Sequence, residues 1–234
     1  MNIALLGYGK MGKEIEKIAL ERGHSISHKI DSEHPLTSLD NTDIAIDFSS
    51  PENAVHHISH CLENGIPIVS GTTGWLEQFE AMKDLCNRKK GAFIYASNFS
   101  LGVNLFFKLN EQLATLMKNH EDYKVAIEEI HHTEKKDAPS GTAITLAEQI
   151  LTQGNLNSWH LTPENIEQSL PVTAKRIAEV KGTHTISYTS EIDTISIKHE
   201  AFNRKGFALG AVIAAEWLLG KTGVFTMQDV LNIG

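Results

Sequence analysis

Two adjacent histidines, two adjacent lysines and a Ser-Gly-Thr turn fall in one short window, Glu129 to Ala143, EIHHTEKKDAPSGTA. Imidazole and ammonium groups supply protons and fixed cations. Ser140, Gly141 and Thr142 follow Pro139 and mark a helix start, whose backbone N–H groups are free to take an anion. Such a set suits the holding and protonation of a small dicarboxylate. A second chemical signal stands at the N-terminus. Gly7, Gly9 and Gly12 of GYGKMG fit GxGxxG, with an apolar run before and an amphipathic run after. There the first glycine permits a tight turn, the second lets a pyrophosphate approach the backbone, and the third allows close helix–strand packing. Tyr8, Lys10 and Met11 lie inside the loop and are expected cofactor contacts with it. Asp31, at the end of the second expected strand, suits a carboxylate accepting from ribose hydroxyls. It favours a free 2′-hydroxyl, whereas Lys10 could meet a 2′-phosphate. Ser32 and Glu33, not an arginine, follow Asp31. The reading leans to NADH and keeps NADPH open.

The elements that must position these groups are legible as hydrophobic periodicity. Strands are expected at 2–6, 25–30, 44–48, 67–70 and 92–96, and helices at 10–22, 52–64 and 76–88. This alternation predicts an α/β fold, a Rossmann-like parallel sheet wrapped by helices. Gly71-Thr72-Thr73-Gly74 follows the fourth strand at its carboxyl end, where ligands bind in open α/β sheets, and is read as a wall of the nicotinamide site. After Asn98 the pattern changes. A long helix at 104–118, a strand at 123–130 and a helix at 140–153 precede strands at 174–180, 183–188 and 194–199. The stretch 154–171 is read as loop. Together these predict an α+β domain with an open mixed sheet. The apolar helix at 207–219 needs a large partner surface, so the last 30 or so residues are expected to return to the first domain. The division is therefore 1–101 with 205–234 for the dinucleotide, and 102–204 for substrate binding and oligomerisation. Ser97, Asn98, Phe99 and Ser100 sit at the change of pattern, as nicotinamide contacts and a hinge. Arg204, Lys205 and Gly206 mark the other crossing.

Bulk properties narrow the function classes. The chain has 234 residues, 41% of them hydrophobic, and a formal charge of −8. Nucleic acid and anionic membrane are not favoured partners, and an anionic substrate needs a local cationic pocket. Cys61 and Cys86 form no CxxC pair and read as reduced thiols of a cytoplasmic protein. The first residues lack the basic n-region of a signal peptide, and no run approaches membrane-spanning length. His56 and His60 lie four apart on an expected helix, a spacing that can hold zinc. With no HExxH glutamate and no third ligand, no metal is expected.

The window EIHHTEKKDAPSGTA closely resembles the signature of the 4-hydroxy-tetrahydrodipicolinate (dihydrodipicolinate) reductase family. GYGKMG, DFSSP at 47–51, GTTG at 71–74, SNFSLGVN at 97–104 and HEAFNRKGFALGAV at 199–212 stand in the family's order, so the resemblance spans nearly the whole chain. The glycine loop has one residue fewer than the longer GxxGxMG form, and the chain is short for the family. The segment 175–184 matches only loosely and is assigned no substrate contact. The resemblance implies hydride transfer from a nicotinamide to C4 of an unsaturated cyclic imine dicarboxylate, with a proton added at C3. It implies His131 as proton donor or acceptor, His132 as a substrate ligand and Lys135 as general acid, with Ser140, Gly141 and Thr142 on a substrate carboxylate. It also implies a homotetramer. The rival readings are another nicotinamide-dependent dehydrogenase of the same architecture and a dinucleotide sensor without catalysis.

Overall fold

The computed structural model describes residues 1–234 other than Asn165 and Arg204, so the Arg204 of the second expected crossing lies outside the described residues. In chain order the elements are β1 (Asn2–Leu6), α1 (Lys10–Glu21), β2 (Ser25–Ile30), β3 (Ile44–Asp47), α2 (Pro51–Glu63), β4 (Ile68–Ser70), α3 (Phe79–Lys89) and β5 (Ala92–Tyr95). There follow α4 (Leu101–Met117), β6 (Lys124–His131), α5 (Gly141–Gln153), β7 (Ser158–Leu161), β8 (Ser169–Arg176), β9 (Thr183–Thr189) and β10 (Thr194–Glu200). The chain ends with α6 (Lys205–Leu218), β11 (Gly223–Phe225) and α7 (Met227–Leu231). Two compact units result, Met1–Asn104 with Arg204–Gly234, and Leu105–Asn203.

The first unit is a parallel sheet in the order β11-β5-β4-β3-β1-β2. Its central strands are apolar on both sides, as a doubly covered parallel sheet requires. Ile3 and Leu5 of β1 enter one core cluster, shared with Ile15 and Ala19 of α1 and Ala211 and Ala215 of α6. Ala4 and Leu6 enter the other, shared with Ile58 and Leu62 of α2 and Leu85 of α3. The expected return of the C-terminal segment is therefore present, and β11 extends the sheet beside β5. Small residues let α6 come close. A Cβ built on Gly210 would stand 1.7 Å from the carbonyl oxygen of Phe99.

The second unit is a mixed sheet in the order β10-β9-β6-β8-β7. β6 pairs antiparallel with β9 and parallel with β8, so its neighbours come from later in the chain on both sides. Phe106 and Ala114 of α4 and Ala143, Leu146 and Ala147 of α5 pack with Ile127, Val172 and Ile186 from one face of the sheet. Two expectations need correction here. The stretch 154–171 is not all loop, because it holds β7 and the start of β8. The strand expected at 174–180 lies earlier, at Ser169–Arg176. Pro171 hid it, since proline cannot donate to a ladder. Pro171 is tolerated because it stands opposite His160 of the short β7, and pairing with β6 begins only at Val172.

The close approach of α6 to Phe99 makes a stability prediction. Gly210→Ala should destabilise the fold by about 3 kcal/mol, since the added methyl meets backbone that cannot rotate away. Equilibrium denaturation checks this, and a midpoint equal to the wild type's would show that the helix can shift at no cost.

Candidate active site

Each unit carries a candidate site of its own. In the first, the glycine loop joins β1 to α1. Gly7 has φ +100°, and a Cβ there would stand 2.1 Å from the carbonyl oxygen of Phe48. A Cβ on Gly12 would stand 2.3 Å from the carbonyl oxygen of Gly7. Both positions therefore require glycine, while Gly9 has nothing near its missing side chain and is exposed. This is the cradle a pyrophosphate needs at a helix N-terminus, and the residues present fit a dinucleotide. A cleft of about 500 Å³ runs along it, lined among others by Gly7, Tyr8, Gly9, Asp31, Ser49 and His56. Lys10 is exposed and Met11 half-buried beside this loop. The Tyr8 hydroxyl donates to Glu16, which also pairs with Lys29 at 2.6 Å. Asp31 Oδ1 accepts from the backbone N–H of His34 (2.8 Å) and of Glu33 (3.0 Å) and lies 3.1 Å from His34 Nδ1. These bonds hold the carboxyl below the usual range, the His34 N–H first among them.

The GTTG loop is fixed by a carboxylate that the sequence reading passed over. Asp47, the last residue of β3, is completely buried. Its Oδ1 is 2.9 Å from His57 Nδ1 and accepts from Ser49 Oγ at 2.7 Å, and its Oδ2 accepts from Ser70 Oγ at 2.9 Å and Thr72 Oγ1 at 2.7 Å. Thr72 Oγ1 in turn accepts from the Ser49 N–H at 2.8 Å. One anion thus ties the loops after β3 and β4 together. Gly71 must be glycine because a Cβ there would stand 2.3 Å from the Phe48 ring, while Thr73 is exposed. Ser97 is exposed, and Asn98 Oδ1 accepts from the Ser100 N–H at 2.9 Å. Phe99 differs from expectation. Its ring is a core side chain packed edge-on against Phe48, and the residue as a whole is 1% exposed. The signal for Asp47 was available, since His57 falls on the buried face of α2 with Ala54, Ile58 and Cys61. A histidine on an apolar stripe needs a partner. His56 and His60, the pair weighed for zinc, have ring centres 6.3 Å apart.

In the second unit, β6 alternates. Ile127, Glu129 and His131 face the core, and Glu129 is completely buried. The strand ends at His131. Beyond it, the Lys135 N–H donates to the His132 carbonyl and turns the chain. His131 is thus the last residue of the strand and His132 the first beyond it. Ser140 caps α5 by accepting the Ala143 N–H on Oγ, and its own N–H donates to Glu129 Oε2 at 3.0 Å. The first-turn N–H groups of Gly141, which is exposed, and of Thr142 remain for an anion. Lys135 Nζ pairs with Asp137 at 2.8 Å.

Three residues that the sequence reading did not assign complete this cluster. His184 of β9 stands opposite Glu129 in register, its Nε2 3.7 Å from Glu129 Oε2 and 3.2 Å from Ser140 Oγ. Arg176 of β8 stands opposite His131 and donates to Glu129 Oε1 at 3.2 Å. Gly182 lies against His131, its Cβ position 3.3 Å from Nε2. Burial works to raise the Glu129 carboxyl. The bonds from His184 and Ser140 and the charge of His131 overcome it and hold the group down to about 2. Burial is also the largest influence on His131. Aided by His184, Lys135 and Arg176 against the pull of Glu129, it pushes the imidazole down to about 4. His131 is therefore neutral near pH 7, with buried Nδ1 3.5 Å from Glu129.

Glu129, His131 and His184 bring ligand atoms within 4.8 Å of one another, the geometry of a metal site. The chemistry opposes one. Both carboxylate oxygens already accept hydrogen bonds, and the Arg176 guanidinium stands where a cation would feel its repulsion.

Two outcomes follow from these buried groups. Asp47→Ala should cost about 3 kcal/mol or more in denaturation, because it strands several buried donors, whereas a loss under about 1 kcal/mol would mean that water reaches them. The second concerns pH. A His131 held at about 4 in the fold takes its proton more readily when unfolded. Stability should then fall as pH drops from about 6.5 through 4. His199, also pushed down mainly by burial, adds to that window. Glu129, held at about 2, contributes stability that is complete above the ordinary carboxylate range and is lost as pH falls toward 2. Melting temperatures of wild type and His131→Gln, measured across this range, should show a shallower slope in the variant. Parallel slopes would remove His131 as a cause.

Residues 1–99 match the family model described as dihydrodipicolinate reductase, N-terminus, and residues 102–231 match that described as dihydrodipicolinate reductase, C-terminus. A 4-hydroxy-tetrahydrodipicolinate reductase from Christiangramia forsetii is 55% identical over 99% of this chain and 98% of its own length. Another from Rickettsia rickettsii is 36% identical over 100% of both chains. The solved dihydrodipicolinate reductase of Paenisporosarcina sp. TG-14 shares the fold, with a TM-score of 0.79, 22% identity and 98% of each chain covered. With both family models matched across nearly its full length, the chain belongs to the dihydrodipicolinate reductase family.

Proposed function

We propose that this oxidoreductase uses NADH or NADPH to reduce 4-hydroxy-tetrahydrodipicolinate to tetrahydrodipicolinate, in the diaminopimelate route to lysine. The observation that carries the reading is the grouping of His131 and the first turn of α5 around one buried carboxylate, with Lys135 on the loop that joins them. A reduced nicotinamide, when bound, supplies hydride for C4 of the cyclic imine formed by loss of water. The protein residues do the rest. The Gly141 and Thr142 N–H groups, with the positive end of α5, receive one substrate carboxylate. The Paenisporosarcina structure is described as dipicolinate-bound, and a planar ring dicarboxylate suits this terminus. His132 is a second substrate ligand. Lys135 Nζ, released from Asp137 by the incoming anion, supplies the proton for C3. His131, neutral, accepts a proton rather than donating one, which assigns the acid role to Lys135.

In the cofactor site Gly7 to Gly12 take the pyrophosphate, and Thr72, Thr73 and the 97–100 segment border the nicotinamide. Asp31 keeps Oδ2 for the ribose hydroxyls while Oδ1 is held by the 33–34 backbone. An anion there disfavours a 2′-phosphate, so NADH is preferred. No helix among the described residues is long and apolar enough to cross a membrane. A polar substrate and a diffusible cofactor fit a cytoplasmic enzyme, and the exposed edge strand β10 offers a surface for assembly into a homotetramer.

The test is an assay coupled to the synthase that makes the substrate from pyruvate and aspartate semialdehyde, following loss of reduced nicotinamide. Wild type should consume NADH more efficiently than NADPH, and Lys135→Ala should be slower by about 100-fold or more, the scale of a lost general acid. Binding of NADH without oxidation would reject the reaction in favour of a sensor. A preference for NADPH would reject the role given to Asp31.

A further inference from the structure

The Arg176 guanidinium spends its donors in an unusual way. Nε donates to the Lys135 carbonyl at 3.3 Å, Nη1 to the Lys175 carbonyl at 2.8 Å, and Nη2 to the Asp137 carbonyl at 2.5 Å and to Glu129 Oε1 at 3.2 Å. Its charge therefore sits on a buried carboxylate while its fork grips the backbone on both sides of Lys136. The other oxygen of that carboxylate holds the Ser140 N–H, the cap of α5. The Ile177 N–H, just beyond Arg176, donates to the His131 carbonyl at 2.8 Å, which fixes the end of β8 to the end of β6.

We propose that Arg176 and Glu129 are a positioning couple for this reaction. Through them a single buried charge pair sets both the loop that presents Lys135 and the helix terminus that receives the substrate carboxylate. The inference rests on the function proposed above. Neither residue needs to touch substrate. A lysine at 176 would keep the charge but has no planar fork to reach two carbonyls and a carboxylate together. Glutamine at 129 would keep the shape but lose the charge that anchors the guanidinium.

The experiment compares Arg176→Lys, Arg176→Ala and Glu129→Gln with wild type in the coupled assay, with cofactor affinity and melting temperature measured on the same samples. A misplaced Lys135 should lower kcat by roughly 10- to 100-fold in Arg176→Lys and in Glu129→Gln, the scale of a small displacement of a reacting group. NADH affinity, which belongs to the other unit, should stay as in wild type. Added guanidinium ion, below denaturing concentration, should restore part of the kcat of Arg176→Ala. A wild-type kcat in Arg176→Lys overturns the proposal. So does a loss in Arg176→Ala that guanidinium leaves untouched and that follows the unfolded fraction. If wild type binds dipicolinate but never turns over, the proposed reaction fails, and the dipicolinate titration then decides this point. Affinity about 10-fold weaker in Arg176→Lys sustains the couple, and equal affinity overturns it.

Discussion

A carboxylate removed from water must be met by donors from the protein, and whatever supplies those donors is fixed in place by it. Both units are organised around this constraint. Asp47 collects side chains from the loops after β3 and β4 and from α2. Glu129 collects the cap of α5 and the arginine of β8, with His131 and His184 beside it. In each case the carboxylate ends an apolar series on its strand, where the core gives way to the end of the sheet. The apolar layer excludes water, and the exclusion makes the hydrogen bonds obligatory. Replacing such a node with an apolar side chain would leave donors stranded, so these positions are costly in stability as well as in function.

The two nodes act on loops whose own sequences do not favour one conformation. Gly71 to Gly74 and the run from Thr133 to Asp137 contain no apolar anchor. Their geometry comes from what holds their backbone or side chains: Thr72 on Asp47 in the first, Arg176 on the 135 and 137 carbonyls in the second. Placing reactive groups on short loops and the fixing charge on strands gives precision without burying the loop. The Lys135 side chain, unlike its backbone, is held by a single partly exposed ion pair.

How much of this could be read from the sequence follows from the range of each interaction. The parallel sheet, the glycine loop and the start of α5 are local patterns: apolar runs such as Ile44 to Ile46, glycines at fixed spacing, and Ser140 ahead of a helix. The return of α6 was also legible, because a helix as apolar as 207–219 has to be covered. Glu129, Arg176 and His184 belong to three strands separated in sequence by two crossings. Only the register β9-β6-β8 brings them together. The one local hint was Glu129 itself, inward-facing in the alternation of Ile127, Glu129 and His131. An acidic residue on the buried side of a strand demands a cationic or N–H partner, and the alternation alone cannot say which. β7 and the first half of β8 were hidden for a different reason. Their residues, SWHL and SLPV, are short and polar or proline-bearing, and they become strands only because β6 offers an edge for Val172 onward.

The neutral state of His131 is the point where fold and chemistry constrain each other most closely. A histidine at the exposed end of a strand would titrate near neutrality and could act as acid or base. Here burial first, and then His184, Lys135 and Arg176, outweigh the attraction of Glu129. These cations add to what burial already does, so the state of the ring is set first by the fold. An apolar layer that buries a strand-end histidine thereby keeps the imidazole uncharged.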